Sequence, residues 1–161
     1  MKNKQFAGHL ARDAGNSFED FFTKRCTVDK IRAVRIPNAG RKIKTRTGFK
    51  VKLAKSPFDF LITHEGRSAC VDTKTTMGKT FAHSMVVTHQ LKWLQFTGPS
   101  IPSGYVIWFR EPNQVVFFDH LILGNLKKGQ SLKPADGVLL GPIENFKPGI
   151  ILYGSDNDGR I

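Results

Sequence analysis

Pro57-Phe58-Asp59-Phe60-Leu61-Ile62-Thr63-His64-Glu65-Gly66-Arg67-Ser68-Ala69-Cys70-Val71-Asp72-Thr73-Lys74 reads as two strands, near 57–63 and 67–74. If Glu65-Gly66 is the hairpin loop, residue 64 faces 67 and the register runs on until Asp59 faces Asp72. Directly opposed residues hold their Cβ atoms about 4.5–5.5 Å apart, so two carboxylates meet on one face. Strand alternation puts Lys74 beside Asp72 on that face and turns Thr73 away. The opposite face collects Phe58, Phe60, Ile62, Ala69 and Val71, an apolar set suited to packing against helices. Opposed carboxylates repel and destabilise a sheet, and oxygen-seeking divalent cations such as Mg²⁺ relieve that repulsion. A cation held there activates water and polarises a phosphate, while a lysine steadies developing negative charge. Two acids and one lysine on one face are thus the smallest set for phosphodiester hydrolysis. The plainer alternative is a surface strand pair carrying ordinary ionic residues.

Upstream, Asn16 or Ser17 can cap a helix starting at Phe18, with Glu19 and Asp20 in its first turn and Phe18, Phe21 and Phe22 as its buried stripe. Residues 27–36 alternate partly and read as a strand. Downstream, Ser84 can cap a helix over about 85–96, whose apolar side is Met85, Leu91, Trp93, Leu94 and Phe96. Trp93 and Trp108 are both expected in the core. Tyr105–Phe109 and Val115–Phe118 read as buried strands around a turn at Glu111-Pro112-Asn113, and 119–127 as a short helix. The last 35 residues are rich in Gly, Pro and Lys and read as mostly irregular. Helix, strands, helix, strands is the order of an α/β fold built on a mixed sheet flanked by helices. The length of 161 residues fits one domain, 1–161.

Charge narrows the partner. Lys and Arg number 25 against 13 Asp and Glu, a net +12, which favours polyanions. Twelve of the cations fall between residues 24 and 55 against the single acid Asp29. Pro37-Asn38-Ala39-Gly40 and Thr47-Gly48 bracket a segment, 37–55, expected to project as a basic hairpin or loop, and residues 1–15 read as a flexible basic arm. No helical apolar stripe accompanies the charge, so nucleic acid fits better than a membrane surface. Arg35, Arg41, Lys42, Lys44, Arg46, Lys50 and Lys52 are the candidates for gripping DNA phosphates, with Thr75 and Lys79 in the loop beyond the second strand. The alternative is a solvated charged face. No apolar run approaches the roughly 18 residues of a membrane span, and Met1-Lys2-Asn3-Lys4-Gln5 leads into no signal-like apolar region. Cys26 and Cys70 lack metal-ligand spacing and are expected as free thiols, and a cytoplasmic location is expected, the protein being bacterial or phage-encoded within a bacterial host.

Pro57-Phe58-Asp59 followed by Asp72-Thr73-Lys74 resembles the PD-(D/E)xK nuclease signature, with one residue inserted between the proline and the first acid and Asp in place of the commoner Glu. Val71-Asp72-Thr73-Lys74-Thr75-Thr76-Met77-Gly78-Lys79-Thr80-Phe81, then His89-Gln90, is similar to the RecU-type Holliday-junction resolvases. Gly15-Asn16-Ser17-Phe18-Glu19 resembles that family's opening helix. The resemblance spans residues 15–110. It implies a restriction-endonuclease-like fold and a Mg²⁺ site (Mn²⁺ substituting) of Glu19, Asp59 and Asp72. It also implies Lys74 as catalytic lysine, Gln90 beside the site, a projecting stalk in the basic segment, and a homodimer that nicks two strands of a junction.

Three functions follow: a structure-selective endonuclease on branched DNA, a restriction-like or repair endonuclease on duplex or flap DNA, or a basic nucleic-acid binder without catalysis.

Overall fold

The computed structural model describes residues 17–37, 39–45 and 48–154. A first helix, α1, runs through residues 17–28. Then come β1 (Arg32–Arg35), β2 (Ala39–Thr45), β3 (Gly48–Ala54), β4 (Phe60–His64), β5 (Arg67–Thr76) and β6 (Phe81–Ala82). Helix α2 (Thr88–Thr97), β7 (Ser103–Phe109), β8 (Gln114–Asp119), α3 (His120–Asn125), β9 (Ser131–Leu132), β10 (Val138–Gly141) and α4 (Gly149–Tyr153) complete the order. Six strands form one sheet, β1-β4-β5-β7-β8-β10, while β2-β3 and β6-β9 pair as separate ribbons. Among the described residues only β5 and β7 pair in parallel, and a parallel pair needs a crossover, which α2 supplies.

Alternation along the strands separates two cores. Phe60, Ile62, Ala69, Val71, Val106, Val115 and Leu140 pack with Phe18, Phe22 and Cys26 of α1 and Ile151 and Leu152 of α4. Cys70, Tyr105, Ile107, Phe109, Val116 and Phe118 pack with Leu94 of α2 and Leu123 of α3. This is the expected mixed sheet between helices. Both cysteines are buried free thiols. No helix among the described residues is long and apolar enough to cross a membrane.

Several local expectations need correction. The stretch from residue 27 does not open as a strand, because the helix persists to residue 28. It ends in a left-handed cap: Lys30 has φ 58, its N–H bonds Thr27 O at 3.1 Å, and Ile31 N–H bonds Cys26 O at 2.8 Å. That is the paired Schellman arrangement, normally signalled by glycine. Ser17 is already helical, so it is not the cap, and Asn16 lies outside the described residues. The buried stripe of α1 is Phe18, Phe22 and Cys26, with Phe21 exposed. Downstream, residues 83–85 form a separate 3-10 turn and α2 starts behind Val87, so Ser84 caps nothing there. Of the expected apolar side of α2 only Leu94 is buried; Trp93 and Phe96 are exposed, while Trp108 is half-buried against the first core. Phe58 lies before β4 and packs on the second core, opposite to Phe60. The C-terminal part supplies the edge strand β10 and core residues Leu140, Phe146, Ile151 and Leu152, so it is less irregular than its composition implies.

Candidate active site

The β4–β5 hairpin has the register expected from the sequence: His64 faces Arg67 and Phe60 faces Val71. Glu65 (φ 47) and Gly66 (φ 79) both take positive φ, the pattern of the two-residue turns whose twist suits a hairpin. Asp59 stands just before β4, its carbonyl taking the Ile36 N–H at 2.8 Å. Beyond that point β5 continues to Thr76 against β7 alone, so among the described residues its other edge has no strand partner. The Asp59 side chain fills the gap, its Oδ2 accepting from Thr73 N–H at 2.9 Å and from Thr73 Oγ1 at 3.0 Å. The fork between β4 and β5 thus fixes the first carboxylate in place of a missing backbone carbonyl.

Asp72 is fully buried. Its Oδ1 accepts from Gln90 Nε2 at 2.7 Å, and its Oδ2, which has no hydrogen bond of good geometry, is ion-paired with Lys74 Nζ. Lys74 Nζ also donates to Gln90 Oε1 at 3.1 Å. The amide of Gln90, reaching down from α2, therefore ties the acid to the lysine. Burial pushes the Asp72 carboxyl up to about 8; the Lys74 ammonium pulls it down, but the charge of Asp59 and a hydrogen bond shared with it push it up further. Glu19, on α1, is ion-paired with Arg35. Its carboxyl is raised by burial and then by Asp59, against the lowering pull of Arg35 and Lys74. Asp59 and Lys74 therefore act on both Glu19 and Asp72.

Among the described residues no three His, Cys, Asp or Glu side chains converge closely enough to form a ready metal cluster. The fit to a hard cation rests on two adjacent carboxylates, one of them buried with an oxygen that lacks a hydrogen bond. That is an oxygen-only donor set of the kind Mg²⁺ takes.

The remaining expected residues are more dispersed. Arg35, counted among the DNA-gripping cations, places its guanidinium on Glu19. Arg41, Lys42 and Lys44 fall on β2 and Lys50 and Lys52 on β3, with Arg41 opposite Lys52 in the register; Arg46 and the arm 1–15 lie outside the described residues. Thr75 has a buried hydroxyl that no hydrogen bond reaches among the described residues. Lys79 is exposed, 4.0 Å from Glu111. Thr73, which strand alternation turns away from the acids, instead donates its N–H and its hydroxyl to Asp59, because Asp59 sits outside the paired strand. Arg35 as partner of Glu19, and Tyr105, have no reading from sequence as site neighbours. Only Tyr105 carried a signal, as an aromatic in an apolar strand whose hydroxyl needs a partner once buried.

No protein-family model matches the chain, and no curated protein matches it. Among solved structures, the fold is similar to that of Hjc from Archaeoglobus fulgidus, described as a Holliday junction resolvase from an archaeal hyperthermophile. The TM-score is 0.54 at 15% identity, covering 78% of this chain and 95% of that one. The two proteins share the restriction-endonuclease-like architecture of a mixed sheet flanked by helices.

Proposed function

We propose that this chain is a metal-dependent endonuclease that hydrolyses phosphodiester bonds in branched DNA, a Holliday-junction resolvase of the RecU type. The observation that carries the reading is Asp72: a fully buried carboxylate held by Lys74 and Gln90 and facing Asp59 at the fork. Burying such a group costs several kcal/mol in general, and one partner lysine offsets only part of it. Perturbed acids beside a specific charge partner favour functional sites. The likeness of the fold to a junction resolvase supports the substrate class.

In this reading Asp59 and Asp72 would hold Mg²⁺, for which Mn²⁺ would substitute, and Glu19, now on Arg35, would supply a further oxygen. Such a cation supplies Lewis acidity and an activated water. Asp72 must shed its proton to serve as a ligand, since its carboxyl is pushed up to about 8. Lys74 brings its charge to the phosphate, and Gln90 keeps the Lys74 ammonium from swinging away. The β2–β3 hairpin has Arg41 opposite Lys52 in its register, and in this reading its cations would meet DNA phosphates. Paired nicks require two sites, so the active species is a homodimer.

The deciding experiment incubates the protein with labelled four-way junction and with matched duplex, with and without Mg²⁺. Junction cleavage that needs Mg²⁺ and is abolished by Asp72→Asn is expected. No cleavage of either DNA in Mg²⁺ or Mn²⁺ would refute the nuclease reading and leave a basic DNA-binding protein. Equal cutting of duplex would replace junction selectivity with the restriction-like or repair alternative.

A further inference from the structure

Helix α2 has to deliver Gln90 between Asp72 and Lys74, yet its own start is poorly secured. Its N-cap is Val87, which has no side-chain oxygen to take a backbone N–H. Gln90 lies three residues beyond that cap, in the first turn, where helices fray most readily. The anchor comes instead from the sheet. Tyr105 on β7 is the register partner of Asp72 and is fully buried. Its hydroxyl accepts the Val87 N–H at 3.1 Å. Its ring lies beneath the lysine, with Lys74 Nζ 5.1 Å from the ring centroid, and Phe81 fixes the ring edge-on at 6.1 Å. One side chain therefore touches the start of α2 and the ammonium that Gln90 binds.

We infer that Tyr105 is a positioning residue: its hydroxyl fastens the uncapped start of α2 to the sheet so that Gln90 stays seated between Asp72 and Lys74. The inference rests on the nuclease reading for its kinetic consequence but not for the anchoring itself. A phenylalanine keeps the ring against Lys74 and Phe81 and removes only the hydroxyl, which would leave the Val87 N–H without its acceptor. Small displacements of a residue that supports a site are enough to slow chemistry without touching substrate affinity.

The test is a double-mutant cycle with Tyr105→Phe and Gln90→Ala, read in single-turnover cleavage of a four-way junction in Mg²⁺ and in junction affinity. Tyr105→Phe should slow cleavage roughly tenfold, with junction affinity unchanged within about twofold. In the Gln90→Ala background it should slow cleavage no further, because both changes act on one contact. A wild-type rate for Tyr105→Phe, or slowdowns that multiply fully, would overturn the inference. Amide hydrogen exchange is read in parallel, without any DNA, and the Val87 amide should exchange faster in Tyr105→Phe. If the wild-type protein cuts no DNA, the nuclease reading fails and exchange alone decides the anchoring; an unchanged Val87 amide would then overturn it.

Discussion

Replacing Asp72 by asparagine should change how stability depends on pH. The folded protein holds the Asp72 carboxyl at about 8 against an ordinary 3.8, chiefly through burial. The folded state therefore keeps a proton that the unfolded chain loses once pH passes about 4, and its stability falls as pH rises between those two values. The contribution is fully present below the unfolded value and is lost as pH climbs through the folded one. Each unit of that interval corresponds to about 1.4 kcal/mol. From about pH 5 to about pH 8 the wild type should thus lose up to roughly 4 kcal/mol relative to Asp72→Asn, or about ten degrees in Tm. Asparagine retains an oxygen for Gln90 Nε2 but has no proton to lose. The assay is urea unfolding of both proteins at several pH values in EDTA, repeated at the alkaline end with Mg²⁺. Added Mg²⁺ should restore stability to the wild type alone, because the charge it would compensate is missing from the variant. Parallel pH dependence of the two proteins would refute the reasoning, since it would mean that Asp72 is solvated or already ionised at little cost.

Lys74→Ala should abolish most cleavage while calorimetry finds Mg²⁺ affinity little changed; lost metal binding would make Lys74 structural. Changing Arg41, Lys42 and Lys44 together to Ala should weaken DNA binding and flatten the slope of log K against log salt by up to about 0.9 per lost contact. Unchanged affinity and slope would return the β2–β3 hairpin to a solvated ribbon. Lys30→Gly should stabilise the protein by about 1 kcal/mol in chemical denaturation, because Lys30 occupies a left-handed φ of 58 at the end of α1. A loss of stability would mean that the lysine side chain contributes more than its backbone costs.

The site was legible where chemistry followed local pairing. Glu65-Gly66 sets the turn, and from it the register as far as Phe60 opposite Val71 follows by counting. Asp59 stands one residue before β4 and turns its carboxylate to Thr73, close enough to act on the charge of Asp72. Gln90 came from resemblance, because the geometry that brings a helix residue over a strand depends on a crossover that spacing does not encode. Legibility ended where a residue broke its own preference. Lys30 does the work of a glycine, so the end of α1 carries no signal in the sequence and residues 27–28 resemble the start of a strand. Trp93 and Phe96 follow helical spacing yet face outward, since hydrophobicity marks what can be buried and not what is. β10 is four residues long and pairs with β8 from a distant part of the chain, so nothing in its own composition announces it. The contacts of Thr73 and Tyr105 exist only because β5 outruns β4 on one side and lies beside β7 on the other.

The sheet topology also orders the site's assembly in time. Asp59 and Asp72 belong to a hairpin closed by two residues, and such hairpins form in about 1–10 μs. The β5–β7 pairing, which seats Tyr105 beside Asp72, must first close a loop containing all of α2, and non-local contacts of that kind set the folding rate. The two carboxylates should therefore meet while both are still wet, when their repulsion is weak, with dehydration of Asp72 following once β7 and α2 dock. The charge conflict at the centre of the site is thus met at the last ascent to the native state, so alkaline conditions should slow that late docking step and leave the early hairpin untouched.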